Sequence, residues 1–78
     1  MKKKHSPYIE KQMENLGKRL KFLRKQQESN YEQFVFKHDI GRAQYGRYET
    51  GSDMNITTLL RILEALEVSP REFFSEGV

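Results

Sequence analysis

The sequence predicts an all-α fold of five short helices, and three observations support that class. Apolar side chains recur at intervals of three and four residues along most of the chain, the spacing that lines one face of a helix. Serine or asparagine, which are preferred as helix N-caps, precedes four of the five predicted helices. No segment has the pattern of a strand. With 78 residues and no cysteine, the chain is expected to form one small bundle without disulfide support.

The first predicted helix begins at Ser6 and Pro7, an N-cap followed by proline at the first helical position. Steps of four, three, four and three residues then form an apolar stripe: Ile9, Met13, Leu16, Leu20 and Leu23. Gly17 interrupts this stripe and weakens the helix by about 1 kcal/mol relative to alanine. The helix therefore runs unbroken from Pro7 to about Glu28 or breaks near Gly17. We favour a main helix from about Leu16, with one or two separate turns before it.

The second predicted helix covers residues 31–38 and the third covers residues 42–49. Asn30 is the expected N-cap of the second helix, and Gln33 completes the sequence pattern of a capping box. Gly51 suits the left-handed position that closes the third helix.

The fourth predicted helix covers residues 56–67 and follows the N-cap Asn55. We expect its main apolar side chains to share one face, with Ile62 at the flank of that face: Ile56, Leu59, Leu60, Leu63 and Leu66. The fifth helix begins with a capping box and carries an aromatic pair that packs on the bundle: Ser69, Glu72, Phe73 and Phe74.

The second and third helices are short and are joined by a three-residue turn at 39–41, the proportions of a helix-turn-helix. The second helix of such a pair can lie in the major groove of DNA with its first turn facing the base edges. Four residues of the third helix are candidates for contacts with bases: Arg42, Ala43, Gln44 and Arg47. Arginine can donate two hydrogen bonds to guanine, whereas glutamine can bind adenine or a phosphate. The small residues Gly41, Ala43 and Gly46 leave room for the backbone to approach DNA, so Gly41 is also a candidate for a backbone contact.

Gly46 lies inside the third helix, where glycine costs about 1 kcal/mol. We favour close approach to DNA as the explanation, and tight packing against another helix is the alternative. Tyr45 and Tyr48 are three residues apart, and we expect them to pack in the core rather than to stack on bases.

Charge is distributed unevenly along the chain. Residues 1–55 carry twelve Lys/Arg and seven Asp/Glu, a net charge of +5, whereas residues 56–78 carry two and four, a net charge of −2. A basic region of this kind suits a polyanion such as nucleic acid. Residues 1–6 are expected to be a flexible basic arm before a single domain at 7–78. We favour phosphate contacts for its lysines over a solubilising role: Lys2, Lys3 and Lys4.

The sequence lacks the patterns typical of membrane proteins, secreted proteins, metal sites and enzymes. No apolar run approaches the length of a membrane span, and no targeting segment follows the N-terminal lysines. His5 lies in the arm without a partner at a recognisable spacing, and no His/Asp/Glu cluster has metal-site spacing. No nucleophile–base pattern and no phosphate-binding glycine loop occurs. We therefore expect a cytoplasmic protein that is not an enzyme and uses no metal or cofactor.

Residues 16–74 resemble the lambda-repressor-like helix-turn-helix family, the Cro and Xre-like group. The resemblance is carried by Leu16-Gly17-Lys18-Arg19-Leu20, Leu23-Arg24, Asn30-Tyr31-Glu32-Gln33-Phe34, Ile40, Tyr45, Tyr48-Glu49-Thr50-Gly51 and the segment from Leu59 to Phe74. It implies base contacts from the third helix, at the four candidates named above. It implies DNA-backbone contacts from the start of the second helix and from the loop after the third: Asn30, Tyr31, Ser52 and Asn55. It also implies an ion pair between Arg24 and Glu49, which we interpret as structural support for the third helix.

Three departures from the family pattern are visible. Val35 stands where a small residue is usual, and His38-Asp39 stands where Leu-Gly is usual. Tyr45 and Tyr48 occupy aliphatic positions. We therefore expect the docking of this helix-turn-helix on DNA to differ from that of its relatives.

The resemblance implies a sequence-specific, double-stranded DNA-binding transcriptional regulator. We expect a homodimer on a palindromic operator, because one helix-turn-helix reads too few bases for selectivity. The expected dimer surface lies on helices four and five and includes Leu63, Phe73 and Phe74. The alternative dimer surface is the N-terminal apolar stripe of Ile9, Met13 and Leu16. A phage-type repressor, a restriction–modification controller and an antitoxin remain open as roles. The alternative from another class is a protein-interaction module that keeps the fold with weak or no DNA binding.

Overall fold

The computed structural model describes residues 5–75, and these form five helices, α1 to α5 in chain order. The helices span Pro7–Gln27, Tyr31–Lys37, Arg42–Glu49, Ile56–Leu66 and Pro70–Ser75. No strand occurs between residues 5 and 75. The all-α prediction is therefore confirmed, and apart from the start of α1 the ends of the first four helices lie within one residue of those expected.

The favoured break in the first helix is wrong, because α1 is a single helix of 21 residues. Its start is capped as predicted, since the Ser6 hydroxyl accepts the N–H of Ile9 at 3.2 Å. Gly17 lies where α1 crosses the end of α3. A Cβ atom at Gly17 would lie 2.7–2.8 Å from three backbone atoms at the end of α3 and in the turn after it. Close helix packing therefore explains this glycine and outweighs its cost of about 1 kcal/mol in helix propensity.

The N-caps of α2 and α5 form in two different ways. Asn30 accepts the N–H of Gln33 at 3.0 Å, but its own N–H donates to the carboxylate of Glu28 at 3.0 Å. Glu28 thus takes the reciprocal role that we assigned to Gln33. At α5 the predicted capping box is complete: Ser69 and Glu72 exchange hydrogen bonds of 3.2 and 3.1 Å.

Helices α2, α3 and α4 end with the same backbone geometry. In each, an N–H donates to the carbonyl five residues earlier, at 2.9, 2.9 and 3.0 Å respectively. The residue before each donor has a left-handed backbone: Asp39 with φ 53°, Gly51 with φ 98° and Glu67 with φ 60°. Glycine adopts this conformation freely, whereas other L-residues are disfavoured by about 1–2 kcal/mol. Gly51 therefore fits its predicted role, and Asp39 and Glu67 hold strained versions of the same motif.

The core lies among α1, α2, α3 and α4 and is closed by one residue of α5. Its buried apolar side chains are Leu20, Phe34, Val35, Tyr45, Tyr48, Leu59, Ile62, Leu63, Leu66 and Phe73. The expectation that Tyr45 and Tyr48 pack in the core is confirmed. Leu63 and Phe73 were predicted at a dimer surface, and this is wrong, because both are fully covered within the chain. Phe74, whose ring meets that of Phe73 edge-on at 5.0 Å, remains 49% exposed.

The inward face of α4 also differs from the prediction. Ile62, placed at the flank by sequence, is buried, whereas Ile56 and Leu60 are 65% and 45% exposed. At 100° per residue, the four buried positions of α4 centre on a direction that leaves these two side chains at one edge. The edge of α4 therefore presents apolar surface that no residue between 5 and 75 covers.

Candidate nucleic-acid interface

The orientation of α3 follows from its two tyrosines. Tyr45 and Tyr48 are buried against the core, so the opposite side of the helix faces outward. At 100° per residue, Ala43 and Arg47 lie at the middle of that outward side. All four predicted base readers are exposed, including Arg42 and Gln44 at the two edges. The exposed face therefore has a small residue beside a long cation, flanked by one further cation and one amide.

Arg42 is not a free side chain. Its guanidinium forms an ion pair with the carboxylate of Glu32 on α2. The hydrogen bond that Arg42 donates to the carboxylate of Glu32 raises the pKa of Arg42 above its ordinary value. Both side chains are exposed, and such pairs exchange partners at little cost. The sequence pattern did not reveal this contact between the neighbouring helices α2 and α3.

Gln44 points to the other side of α3, away from α2. It lines a groove between the α2–α3 turn and α4, together with Asp39, Tyr48, Thr58 and Arg61. An amide at this edge can reach a base or a phosphate near the start of α4, as either of its predicted roles requires.

Asn30 and Asn55, predicted to contact the DNA backbone, are the N-caps of α2 and α4. The side-chain oxygen of Asn55 accepts the N–H of Thr58 at 2.8 Å, as Asn30 does from Gln33. Capping uses the oxygen of each amide and leaves its NH₂ group as a donor. Each asparagine is exposed at the start of its helix, where anions are favoured.

Tyr31 and Gly46 meet at the junction of α2 and α3. The Tyr31 hydroxyl donates a hydrogen bond to the carbonyl of Arg42. A Cβ atom at Gly46 would lie 2.8 Å from that hydroxyl oxygen. This contact supports the alternative explanation of Gly46, tight packing against another helix. Burial raises the pKa of Tyr31, so its hydroxyl remains protonated as a donor.

Arg24 and Glu49 form a buried ion pair between α1 and the end of α3. Their side chains are 4% and 7% exposed, and the guanidinium donates to both carboxylate oxygens at 3.0 and 3.2 Å. Arg24 also donates to the carbonyl of Ser29 at 2.9 Å, just before α2. Its guanidinium lies 5.5 Å from the centre of the Tyr31 ring. One side chain thus joins α1, the start of α2 and the end of α3.

The remaining candidates lie at the ends of α3. Gly41 is its N-cap and supplies no side-chain cap, so no capping side chain satisfies the first N–H groups of α3. Ser52 is half-buried, and its N–H donates to the carbonyl of Arg47 at 2.9 Å. Lys2, Lys3 and Lys4 lie outside the described residues. His5, for which we predicted no partner, contacts Asp53 in the loop after α3 through Nε2, at 2.9 and 3.1 Å from the two carboxylate oxygens.

The fold and this site define the chain as a helix-turn-helix protein with an exposed, basic second helix. A family model described as helix-turn-helix matches residues 20–73. The chain therefore belongs to the helix-turn-helix family of the Cro/C1 type, which is a DNA-binding family. No curated protein and no solved structure matches the chain.

Two kinds of feature are absent from residues 5–75. None of the helices within residues 5–75 is long and apolar enough to cross a membrane. In the same part of the chain, no three His, Cys, Asp or Glu side chains are grouped so that they could hold a metal ion.

Proposed function

We propose that the chain is a sequence-specific regulator of transcription that places α3 in the major groove of double-stranded DNA. One observation carries the proposal. Arg47 projects from the middle of the outward side of α3, and its side chain makes no ion pair or hydrogen bond within residues 5–75. Ala43, one turn earlier, leaves space beside it. A long, unpaired cation on an otherwise small-residue face suits two-point recognition of guanine.

Selection of bound sequences from a random DNA pool tests this proposal. With the selected site in hand, Arg47→Ala should weaken binding by about 1–3 kcal/mol and relax one base position. Arg71→Ala, an exposed arginine on α5, is the matched control and should leave the base preference unchanged. Equal weakening by Arg47→Ala on all sequences would make it a phosphate contact. Binding to random DNA that stays undetectable at low salt would refute the proposal.

We propose further that the protein is a homodimer on a palindromic site with half-sites about 34 Å apart. With Leu63 and Phe73 in the core, the exposed apolar side chains of α4 and α5 support this contact: Ile56, Leu60 and Phe74. Leu60→Glu should give a monomer in sedimentation equilibrium, whereas Tyr8→Glu on α1 should not. A dimer that resists Leu60→Glu but is broken by Ile9→Glu would assign the contact to α1 instead.

One observation favours the alternative of a protein-interaction module. Phe36 on α2 is 88% exposed, more than any other large apolar side chain between residues 5 and 75. A salt titration of DNA affinity separates the two functions. A DNA-binding regulator loses affinity steeply as salt rises, whereas an interaction module shows weak affinity without that slope.

A further inference from the structure

The contact between Tyr31 and α3 involves two positions one helical turn apart. The Tyr31 hydroxyl donates to the carbonyl of Arg42 and lies directly over Gly46. Arg42 and Gly46 are four residues apart, so they share one side of α3. The tyrosine hydroxyl therefore contacts α3 at a single defined place on its circumference, next to the outward face that carries Ala43 and Arg47.

The Tyr31 ring has little freedom to leave this position. The guanidinium of Arg24 lies 5.5 Å from its centre, and the ring of Tyr45 lies 5.8 Å away at an angle of 44°. Arg24 is itself held by Glu49 and Ser29. The buried network that joins three helices thus also holds the ring that touches α3.

We propose that Tyr31 is a positioning residue that fixes the rotation of α3 about its own axis, and that Gly46 is the residue that admits its hydroxyl. The rotation decides where Ala43 and Arg47 point, so Tyr31 acts on base recognition through α3 rather than through a phosphate. This inference rests on the proposed function only for the effect of Tyr31 on base recognition. The match between Tyr31 and Gly46 stands on the packing.

The distances define a size-matched pair. A Cβ atom at position 46 would lie 2.8 Å from the Tyr31 hydroxyl oxygen, closer than van der Waals contact, but 3.7 Å from the ring carbon that bears it. Removing one oxygen atom therefore makes room for one methyl group. Gly46→Ala should force α3 to turn or shift, and Tyr31→Phe should remove the reason for that movement.

A double-mutant cycle tests the inference with Tyr31→Phe, Gly46→Ala and the double variant. Each is measured for the free energy of unfolding and for affinity to the selected operator and to random DNA. Gly46→Ala should weaken operator binding by about tenfold, the scale of one lost base contact, and change random-DNA binding by less than about twofold. The double variant should return operator affinity to the level of Tyr31→Phe alone. Tyr8→Phe, which removes an exposed hydroxyl from α1, is the matched control. It should change neither the free energy of unfolding nor the affinity for the operator or for random DNA.

Two results would overturn the inference. Operator affinity that is unchanged in Gly46→Ala would show that Tyr31 moves aside without turning α3. A double variant as weak as Gly46→Ala would show that the DNA itself excludes the methyl group. If the wild-type protein binds no DNA, the proposed function fails. The free energies of unfolding of the three variants still test the contact between Tyr31 and Gly46. Additive effects of the two substitutions would refute the contact, and coupling between them would support it.

Discussion

Replacing Arg24 with methionine should destabilise this fold strongly. The guanidinium and the carboxylate of Glu49 are almost completely buried and share two hydrogen bonds of 3.0 and 3.2 Å. The bond to the Ser29 carbonyl adds a link to the start of α2. Methionine fills much of the same volume but leaves the charge of Glu49 buried without its partner.

The expected loss is large on the scale of a small domain. Removing one member of a buried ion pair typically costs about 3–5 kcal/mol. At about 0.05–0.15 kcal/mol per residue, a chain of 78 residues has roughly 4–12 kcal/mol of stability in total. Arg24→Met should therefore leave a marginal or partly unfolded protein. Arg24→Met combined with Glu49→Met removes both charges and should recover most of the loss, because no unpaired charge remains.

Urea unfolding followed by far-UV circular dichroism measures each of these free energies. Arg24→Lys is a useful intermediate, since it keeps the charge but loses the paired geometry of the guanidinium. A loss below about 1 kcal/mol for Arg24→Met would mean that the pair behaves like an exposed one. Equal losses in the single and double variants would show that the side-chain volume matters and the charge pairing does not.

Three other predictions concern stability. Glu67→Gly should raise the free energy of unfolding by about 1 kcal/mol in urea titrations, because it relieves the left-handed backbone strain at the end of α4. Glu67→Ala keeps that strain and is the control. An equal gain in Glu67→Ala would contradict the explanation. Burial raises the pKa of Tyr45 far above its ordinary value, so its contribution is complete below about pH 10 and is lost as the pH rises further, by at most about 1.4 kcal/mol per pH unit. Unfolding curves of wild type and Tyr45→Phe that stay parallel above about pH 10 would exclude this. Gly17→Ala should lower the free energy of unfolding by about 1–3 kcal/mol in thermal or urea unfolding, despite the better helix propensity of alanine. Gly41→Ala, with only ordinary contacts near its Cβ, should be nearly neutral. A larger loss of stability in Gly41→Ala than in Gly17→Ala would refute the close approach at Gly17.

Features that depend on local physical interactions could be predicted from the sequence. A helix N-cap and the first turn that it serves lie within four residues of each other, so Ser6, Asn30 and Ser69 could be assigned from the chain alone. The order and length of the helices followed from apolar spacing for the same reason. The outward position of Arg47 followed from the inward position of the two tyrosines on the same short helix.

The predictions that failed concern contacts between distant parts of the chain. Periodicity places Phe73 and Phe74 side by side, but only the packing of α5 on α4 buries one and exposes the other. It likewise misplaced Ile62 and Leu60, because the direction of the core around α4 depends on helices that are far away in sequence. The contact of His5 with Asp53 joins residues 48 positions apart and has no sequence signature.

The sequence by itself determined that this chain is a five-helix, helix-turn-helix protein with an exposed arginine on its second element, because caps, turns and apolar spacing act over a few residues. The tertiary structure decided what the two helical glycines do. Each appeared by sequence as a weakness in its helix, since propensity is a property of the helix alone. In the fold, Gly17 admits the end of α3 and Gly46 admits the hydroxyl of Tyr31, and both contacts exist only once separate helices have packed.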